Sequence, residues 1–423
     1  TIAGAVRSSA DALTFDAVTR GANTTLDSTN NGGSAAGNDI TTGAVTGATF
    51  NLTLNAGTGA GSDMTVASVS GVTTLTITQS DSTSFSGAVS ATTVTLSDTN
   101  LTITVSGNLT ATSLNTAAQT YAVVLNGASN TVTNAVTFSN SGAVTLGNDN
   151  TDTTTFNGGV TATAPSGINV AGTVASSDDG ITLGDGDSGV TLTANSTIDT
   201  NATTTAGDIT LGAVSAATFN LTIETGAAVA GADVSGTGVG SVGTLLLQNI
   251  GETASFTGAI TATTITAGNT VANLSLTGTG STVTNSFAPD NTGTLTLGQG
   301  GGTQTYNGGL NTTATDGTVT LNGTIAASDD ALVFGAVTLG SNTTLDTNAT
   351  TTAGDLTIGA VTGATFDLSL ETGTAGGADV SATSVSGVGT LTITQSDSTS
   401  FSGAVSATTV TLSDTNLTIT VSG

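Results

Sequence analysis

The sequence lacks cysteine, histidine, tryptophan and lysine. Its only basic residues are Arg7 and Arg20, which face 29 acidic residues and leave a formal net charge of -27. Without cysteine no disulfide bond can stabilise the fold, and without histidine or cysteine the usual zinc ligands are missing. Nucleophilic catalysis by serine needs a base, usually histidine or lysine, and the chain has neither. We therefore predict that the chain is not an enzyme.

The shortage of positive charge also restricts the partners. Proteins that bind nucleic acid need a basic patch for the phosphates, and anionic membrane surfaces attract polybasic segments. No apolar run reaches the roughly 18 residues that a membrane-spanning helix requires. We therefore expect no nucleic acid partner and no membrane insertion of this segment. Since 36% of the residues are hydrophobic and only 7% are charged, the chain does not have the composition of a disordered acidic tail.

The abundant residues favour strands. Threonine, valine, isoleucine and leucine suit a pleated surface, while 58 glycines and a near absence of glutamate disfavour helices. In residues 101–106, leucine, isoleucine and valine alternate with threonine and serine. This period of two indicates a strand with one apolar and one polar face. The sequence therefore predicts an all-β fold made of short strands.

Internal repeats dominate the chain. Residues 74–107 and 390–423 are identical, and TNATTTAGD occurs at both 200–208 and 347–355. The approximate long repeats are 1–175, 176–325 and 326–423, of which the last is incomplete. Repetition of this kind is typical of solenoids and of fibres that lengthen by duplication. We predict one continuous repetitive solenoid segment over residues 1–423.

A finer spacing predicts the architecture. Tyr121, Phe138 and Phe156 follow one another at nearly equal intervals. A recurring coil of roughly 17–22 residues suits a parallel β-helix (β-solenoid), in which each coil contributes short strands to a stack. The alternative is a string of tandem β-sandwich domains of about 100 residues each. The absence of tryptophan disfavours this alternative.

Two segments carry a resemblance to a known family. TLTLGQGGGTQTYNGGLNTTATDGTVTLNG (Thr294–Gly323) and GTLTITQSDSTSFSGAVSATTVTLSD resemble the autotransporter-associated β-strand repeat. The chain is also similar to exported adhesins of the filamentous-haemagglutinin type. The resemblance implies a right-handed parallel β-helix, export to the cell surface and an adhesive or matrix role. It supplies no catalytic residues, and it leads us to expect an extracellular, cell-surface location.

Three functional hypotheses follow. The first is a structural or adhesive segment of a large secreted cell-surface repeat protein, acting as an elongated fibre or shaft. The second is a self-assembling extracellular filament, sheath or surface-layer subunit. The third is a carbohydrate-active β-helix enzyme, which the lack of histidine and lysine disfavours. The expected partners are further copies, or the continuation of the same longer chain, together with cell-surface glycans or other cells.

One acidic segment is the main candidate for a bound ion. Asp178, Asp179, Asp185 and Asp187 surround a glycine-rich stretch, and oxygen-rich loops of this kind bind calcium in other proteins. The alternative is a solvated corner that keeps the chain soluble. The sequence predicts no other cofactor.

Overall fold

The structure is a computed structural model that describes residues 1–226, 229–413 and 415–423. These residues form 37 strands and no helix, and the strands pair in parallel into stacked coils, about 19 in all. The predicted all-β parallel β-helix is therefore confirmed. The tandem-sandwich alternative is wrong, because sandwich domains are built from antiparallel sheets. In the described part of the chain, no helix has the length and hydrophobicity to span a membrane.

The chain divides into two compact units, Thr1–Gly212 and Ala213–Gly423. The prediction of a single continuous solenoid stays a prediction. The strands that begin in the first unit are β1 (Ile2–Arg7), β2 (Leu13–Phe15), β3 (Val18–Asp27), β4 (Ile40–Asn55), β5 (Met64–Ser80), β6 (Thr83–Phe85), β7 (Val89–Thr99), β8 (Thr102–Val105), β9 (Leu109–Thr116), β10 (Ala122–Leu125), β11 (Ser129–Val132), β12 (Val136–Thr137), β13 (Val144–Leu146), β14 (Thr153–Phe156), β15 (Val160–Ala162), β16 (Ile168–Ala175), β17 (Ile181–Leu183), β18 (Val190–Ala202) and β19 (Ile209–Ser215).

The strands of the second unit continue the same pattern of short parallel elements. They are β20 (Leu221–Gly226), β21 (Val234–Gln248), β22 (Ile250–Phe256), β23 (Ile260–Ala267), β24 (Val271–Leu276), β25 (Ser281–Val283), β26 (Leu295–Leu297), β27 (Thr303–Tyr306), β28 (Leu310–Asn311), β29 (Val319–Ala326), β30 (Leu332–Phe334), β31 (Val337–Ala349), β32 (Leu356–Thr362), β33 (Leu368–Gly373), β34 (Val380–Gln395), β35 (Thr399–Phe401), β36 (Val405–Leu412) and β37 (Ile419–Val421).

Coil length varies more than the sequence predicts. In one pair of neighbouring coils Val319 is the register partner of Val337, whereas in another Ile181 is the partner of the more distant Ile209. Several coils are therefore longer than predicted. The extra residues lie in corner loops such as 28–39, which extend outside the strands, and the strand register is kept.

The alternation of apolar and polar residues sorts side chains to the two faces of each strand. Leu75, Val94 and Leu114 are register partners in three successive coils and are all buried. Thr76 and Thr95 are register partners one residue later and are not buried, as expected for a period of two. The core is therefore a set of stacked apolar columns, and the outer surface consists largely of hydroxyl-bearing columns.

The aromatic residues lie inside this core. Phe138 and Phe156 pack edge to face with ring centroids 5.9 Å apart. In the next repeat Phe287 and Tyr306 occupy the corresponding places and stack at 5.8 Å. Because a buried tyrosine needs a partner for its hydroxyl, Tyr306 donates to Oε1 of the buried Gln304 at 3.1 Å.

The sequence repeat is not a whole number of coils. Phe256 and Phe401 occupy equivalent places in their repeats, and both lie in the second unit. The core column of Phe256 continues through Leu276, Leu297, Leu321 and Leu339. The core column of Phe401 contains Phe334, Ile358 and Ala382. Equivalent residues therefore lie on different faces of the coil.

Candidate functional site

The corner carboxylates are the chemically distinctive groups of the surface. Asp178 lies between β16 and β17 in the left-handed backbone region, with a φ of 65°. Its Oδ1 accepts hydrogen bonds from the backbone N–H groups of Thr203, Thr204 (2.9 Å) and Thr205 (3.3 Å) in the next coil. These N–H groups, Thr203 first, hold the pKa of Asp178 well below its usual range, because they stabilise the ionised form.

Asp329 repeats this arrangement in the second unit. Its φ is 64°, and its Oδ1 accepts from the N–H groups of Thr350, Thr351 (2.8 Å) and Thr352 (3.4 Å). These contacts, with Thr351 contributing most, lower its pKa to about 2. Asp178 and Asp329 thus act as anionic caps that satisfy three backbone donors of the following coil.

The other three predicted calcium ligands have separate roles. Asp185 Oδ1 accepts from the N–H groups of Asp187 and Ser188, both at 2.9 Å, and these contacts lower its pKa. Asp187 contributes its backbone N–H to that turn, and the carbonyl of Asp179 accepts from the Ser176 hydroxyl. Among the residues that the structure describes, no three acidic, histidine or cysteine side chains form a group suited to a metal ion. Calcium binding at these four aspartates stays a prediction.

A pair of stacked carboxylates was not identified from the sequence. Asp346 and Glu371 are register partners in adjacent coils, and Gln395 follows Glu371 in the next coil. Burial raises the pKa of Asp346. Burial, followed by the charge of Asp346, raises the pKa of Glu371. Only the register of the coils, which is not evident from the local sequence, brings these two acids together.

An uncharged groove of about 420 Å³ lies on the side of the first unit. Its lining includes two rows of hydroxyl groups, Ser90, Thr110 and Thr131 in one and Thr92, Thr112 and Thr133 in the other. Successive residues of a row lie in successive coils, so neighbouring residues of a row are about 4.8 Å apart. The lining includes no charged or aromatic side chain, and Val72, Ala91 and Ala111 place apolar groups beside the hydroxyl rows. Binding of cell-surface glycans stays a prediction.

Three large apolar side chains on the strands of the last described coil are exposed. Val410 and Leu412 on β36 and Val421 on β37 are among the few large apolar side chains that are exposed. Their polar neighbours, which alternate with them, point to the opposite face of the strands.

No family model, curated protein or solved structure matches the chain. The resemblance to autotransporter-associated β-strand repeats and filamentous-haemagglutinin-type adhesins therefore stays a prediction.

Proposed function

We propose that this chain is a structural or adhesive segment of a large secreted cell-surface repeat protein and acts as an elongated fibre or shaft. The observation that carries the proposal is the parallel stacking of coils in each unit, with apolar columns inside and hydroxyl columns outside. A stack of this kind gains length with each added coil while each coil contacts only its neighbours. Duplication of near-identical repeats therefore lengthens the stack while each new coil makes the same contacts with its neighbours as the existing coils.

The surface chemistry supports an extracellular role. A net charge of -27 on an otherwise uncharged, hydroxyl-rich surface favours solubility and weakens unspecific contacts between neighbouring copies. The absence of cysteine and the single methionine leave few side chains that oxidants attack. Cell-surface glycans remain our expected adhesive partner, and the hydroxyl-lined groove is the place where we expect them.

The proposal is tested by negative-stain electron microscopy and small-angle scattering of the purified chain. We expect a single elongated particle whose length increases when the 74–107 segment and its following coil are duplicated in the chain. Immunogold labelling of intact native cells should place the chain outside the cell. A compact particle, or label confined to the cell interior, would contradict the proposal.

A self-assembling filament, sheath or surface-layer subunit is the second candidate. The parallel stacking of repeated coils is also compatible with this candidate, because repeat solenoids present extended surfaces that can serve in assembly. An ordered lattice or polymer in micrographs of the native material would favour this candidate. Isolated particles of constant length would favour the shaft.

A further inference from the structure

A three-residue motif recurs in successive coils of the first unit. Its outer two residues carry hydroxyl groups and its middle residue is buried, as in residues 90–92 (SAT), 110–112 (TAT) and 131–133 (TVT). The middle residues, which are register partners from coil to coil, are Ala91, Ala111 and Val132. The outer side chains therefore form two parallel rows with a trough between them, and this trough is the groove of about 420 Å³.

The second unit carries the same motif at the equivalent place in its repeat. Residues 261–263 (TAT) and 282–284 (TVT) lie in successive coils, and their middle residues, Ala262 and Val283, are buried register partners. Thr305 extends one of the two rows into a further coil. Paired hydroxyl rows with a buried residue between them are therefore a recurring feature of the chain.

The hydroxyl groups of the rows are accessible to water. Thr92, Thr110, Thr112 and Thr133 are exposed in the first unit, as are Thr261, Thr263 and Thr284 in the second. Within the part of the chain that the structure describes, none of these hydroxyls forms a hydrogen bond to another protein group. Buried hydroxyls behave differently, since those of Ser80 and Thr99 bond to each other at 3.0 Å. Each row hydroxyl thus keeps one donor and two acceptor positions for water.

The rows form an array with two regular spacings. Along a row, neighbouring hydroxyl-bearing residues are about 4.8 Å apart, because they lie in adjacent coils. Across the trough, residues two apart on one parallel strand are separated by about 6.6 Å. On the prism face of hexagonal ice, oxygen atoms repeat in two perpendicular directions at distances close to these two spacings. A file of water molecules in the trough, bonded to the rows, is thereby held at positions close to those of the ice lattice.

We propose that the paired hydroxyl rows of residues 90–133 and 261–284 bind the prism face of ice. This inference goes beyond the fibre role and does not depend on it. It concerns the groove in which we expect glycans, so a glycan is the competing occupant at the same surface.

The lining of the groove favours ice over a glycan. It offers a sugar ring no aromatic side chain to stack on and no charged group to fix the orientation of the ring. Ala91, Ala111 and the threonine methyl groups leave water in the trough with few partners besides the row hydroxyls. A repeated hydroxyl with the same spacing in each coil suits a periodic solid, because every coil then makes the same contact.

Thermal hysteresis, the gap between the melting and freezing temperatures of a small ice crystal, provides the first test. We expect the natural chain to produce a gap and faceted crystals in a nanolitre osmometer. Thr112→Lys/Thr263→Lys places a long charged side chain in the rows of both units and should lose most of the gap. The control Thr120→Lys/Asn269→Lys adds the same charge at exposed positions outside the rows and should keep the gap. No gap with the natural chain, or equal losses in the two variants, would overturn the proposal.

Adsorption to a single ice crystal provides the second test and requires no variant with altered rows. Because the chain has no native cysteine, Thr120→Cys can carry a single maleimide-linked fluorophore. We expect the labelled chain to adsorb to the prism planes and to leave the basal plane dark. Absence of adsorption would refute ice binding, and calorimetric binding of a neutral glycan that Thr112→Lys/Thr263→Lys abolishes would then assign the rows to that glycan. The fibre role is tested separately by the particle length in electron micrographs.

Discussion

The two identical segments allow one stability prediction to be made with an unusually close control. Leu96→Ala and Leu412→Ala are the same substitution within two identical stretches of sequence, residues 74–107 and 390–423. The side chain of Leu96 is 3% exposed beneath β9, whereas that of Leu412 is 54% exposed. Any difference between the two variants therefore measures the contribution of the covering coil.

The expected magnitudes follow from burial. Removal of the Leu96 side chain loses its transfer free energy and leaves a cavity, which costs about 3 kcal/mol. Leu412 buries about half as much surface and leaves no closed cavity, so its loss costs about 1 kcal/mol. The difference of about 2 kcal/mol corresponds to a roughly 30-fold difference in the local opening equilibrium.

Hydrogen exchange followed by mass spectrometry is the appropriate assay, because a repeat structure opens locally and does not unfold in a single step. Peptides that carry the alanine differ in mass from the unaltered copy, so each variant reports its own coil. Measurements belong at low protein concentration, where copies do not associate. Equal acceleration of exchange in the two variants would refute the assignment of Leu96 to the covered core and Leu412 to an open edge.

Three further predictions concern the carboxylates. Asp329→Asn should lower the melting temperature at neutral pH, whereas the control Asp330→Asn should not. The pKa of Asp329 is lowered to about 2 in the folded chain, against about 4 in the unfolded chain. The stabilisation by Asp329 is therefore fully present above about pH 4 and is lost as the pH falls through about 2. Glu371→Gln should raise the melting temperature at pH 7 and not at pH 3. Because the pKa of Glu371 is raised in the folded chain, the natural protein is most stable when Glu371 is protonated and loses stability as the pH rises through that pKa. If the aspartates of residues 178–187 bind calcium, added calcium should raise the melting temperature and a chelator should reverse the effect, whereas identical curves would assign these residues to corner capping alone.

Part of the candidate site is evident from the sequence and part is not. The segment containing Asp178 and Asp185 stands out by composition, but the backbone partners of Asp178, which are Thr203, Thr204 and Thr205, belong to the next coil. The stacked pair of Asp346 and Glu371 is equally hidden, since the two acids are separated by a whole coil. Contacts between residues a whole coil apart in the sequence depend on the number of residues in each corner loop, and local sequence patterns do not encode that number.

The sequence by itself determined the class of fold. Alternation of apolar residues with threonine and serine specifies strands with one buried face, and the shortage of helix-forming residues excludes the main competitor. The internal repeats determined that similar coils recur. These features are local, and each is a direct consequence of side-chain size and polarity.

The tertiary structure decided which residues share a column and which are covered. Phe256 and Phe401 are equivalent in sequence but lie on different faces, because corner loops of unequal length make the repeat incommensurate with the coil. Leu96 and Leu412 have identical sequence neighbours but opposite exposure, because burial is a property of the adjacent coil. Hydrogen bonding between coils determines both which residues share a column and which are covered. It pairs residues that are distant in the sequence, such as Leu75 with Val94 and Val94 with Leu114.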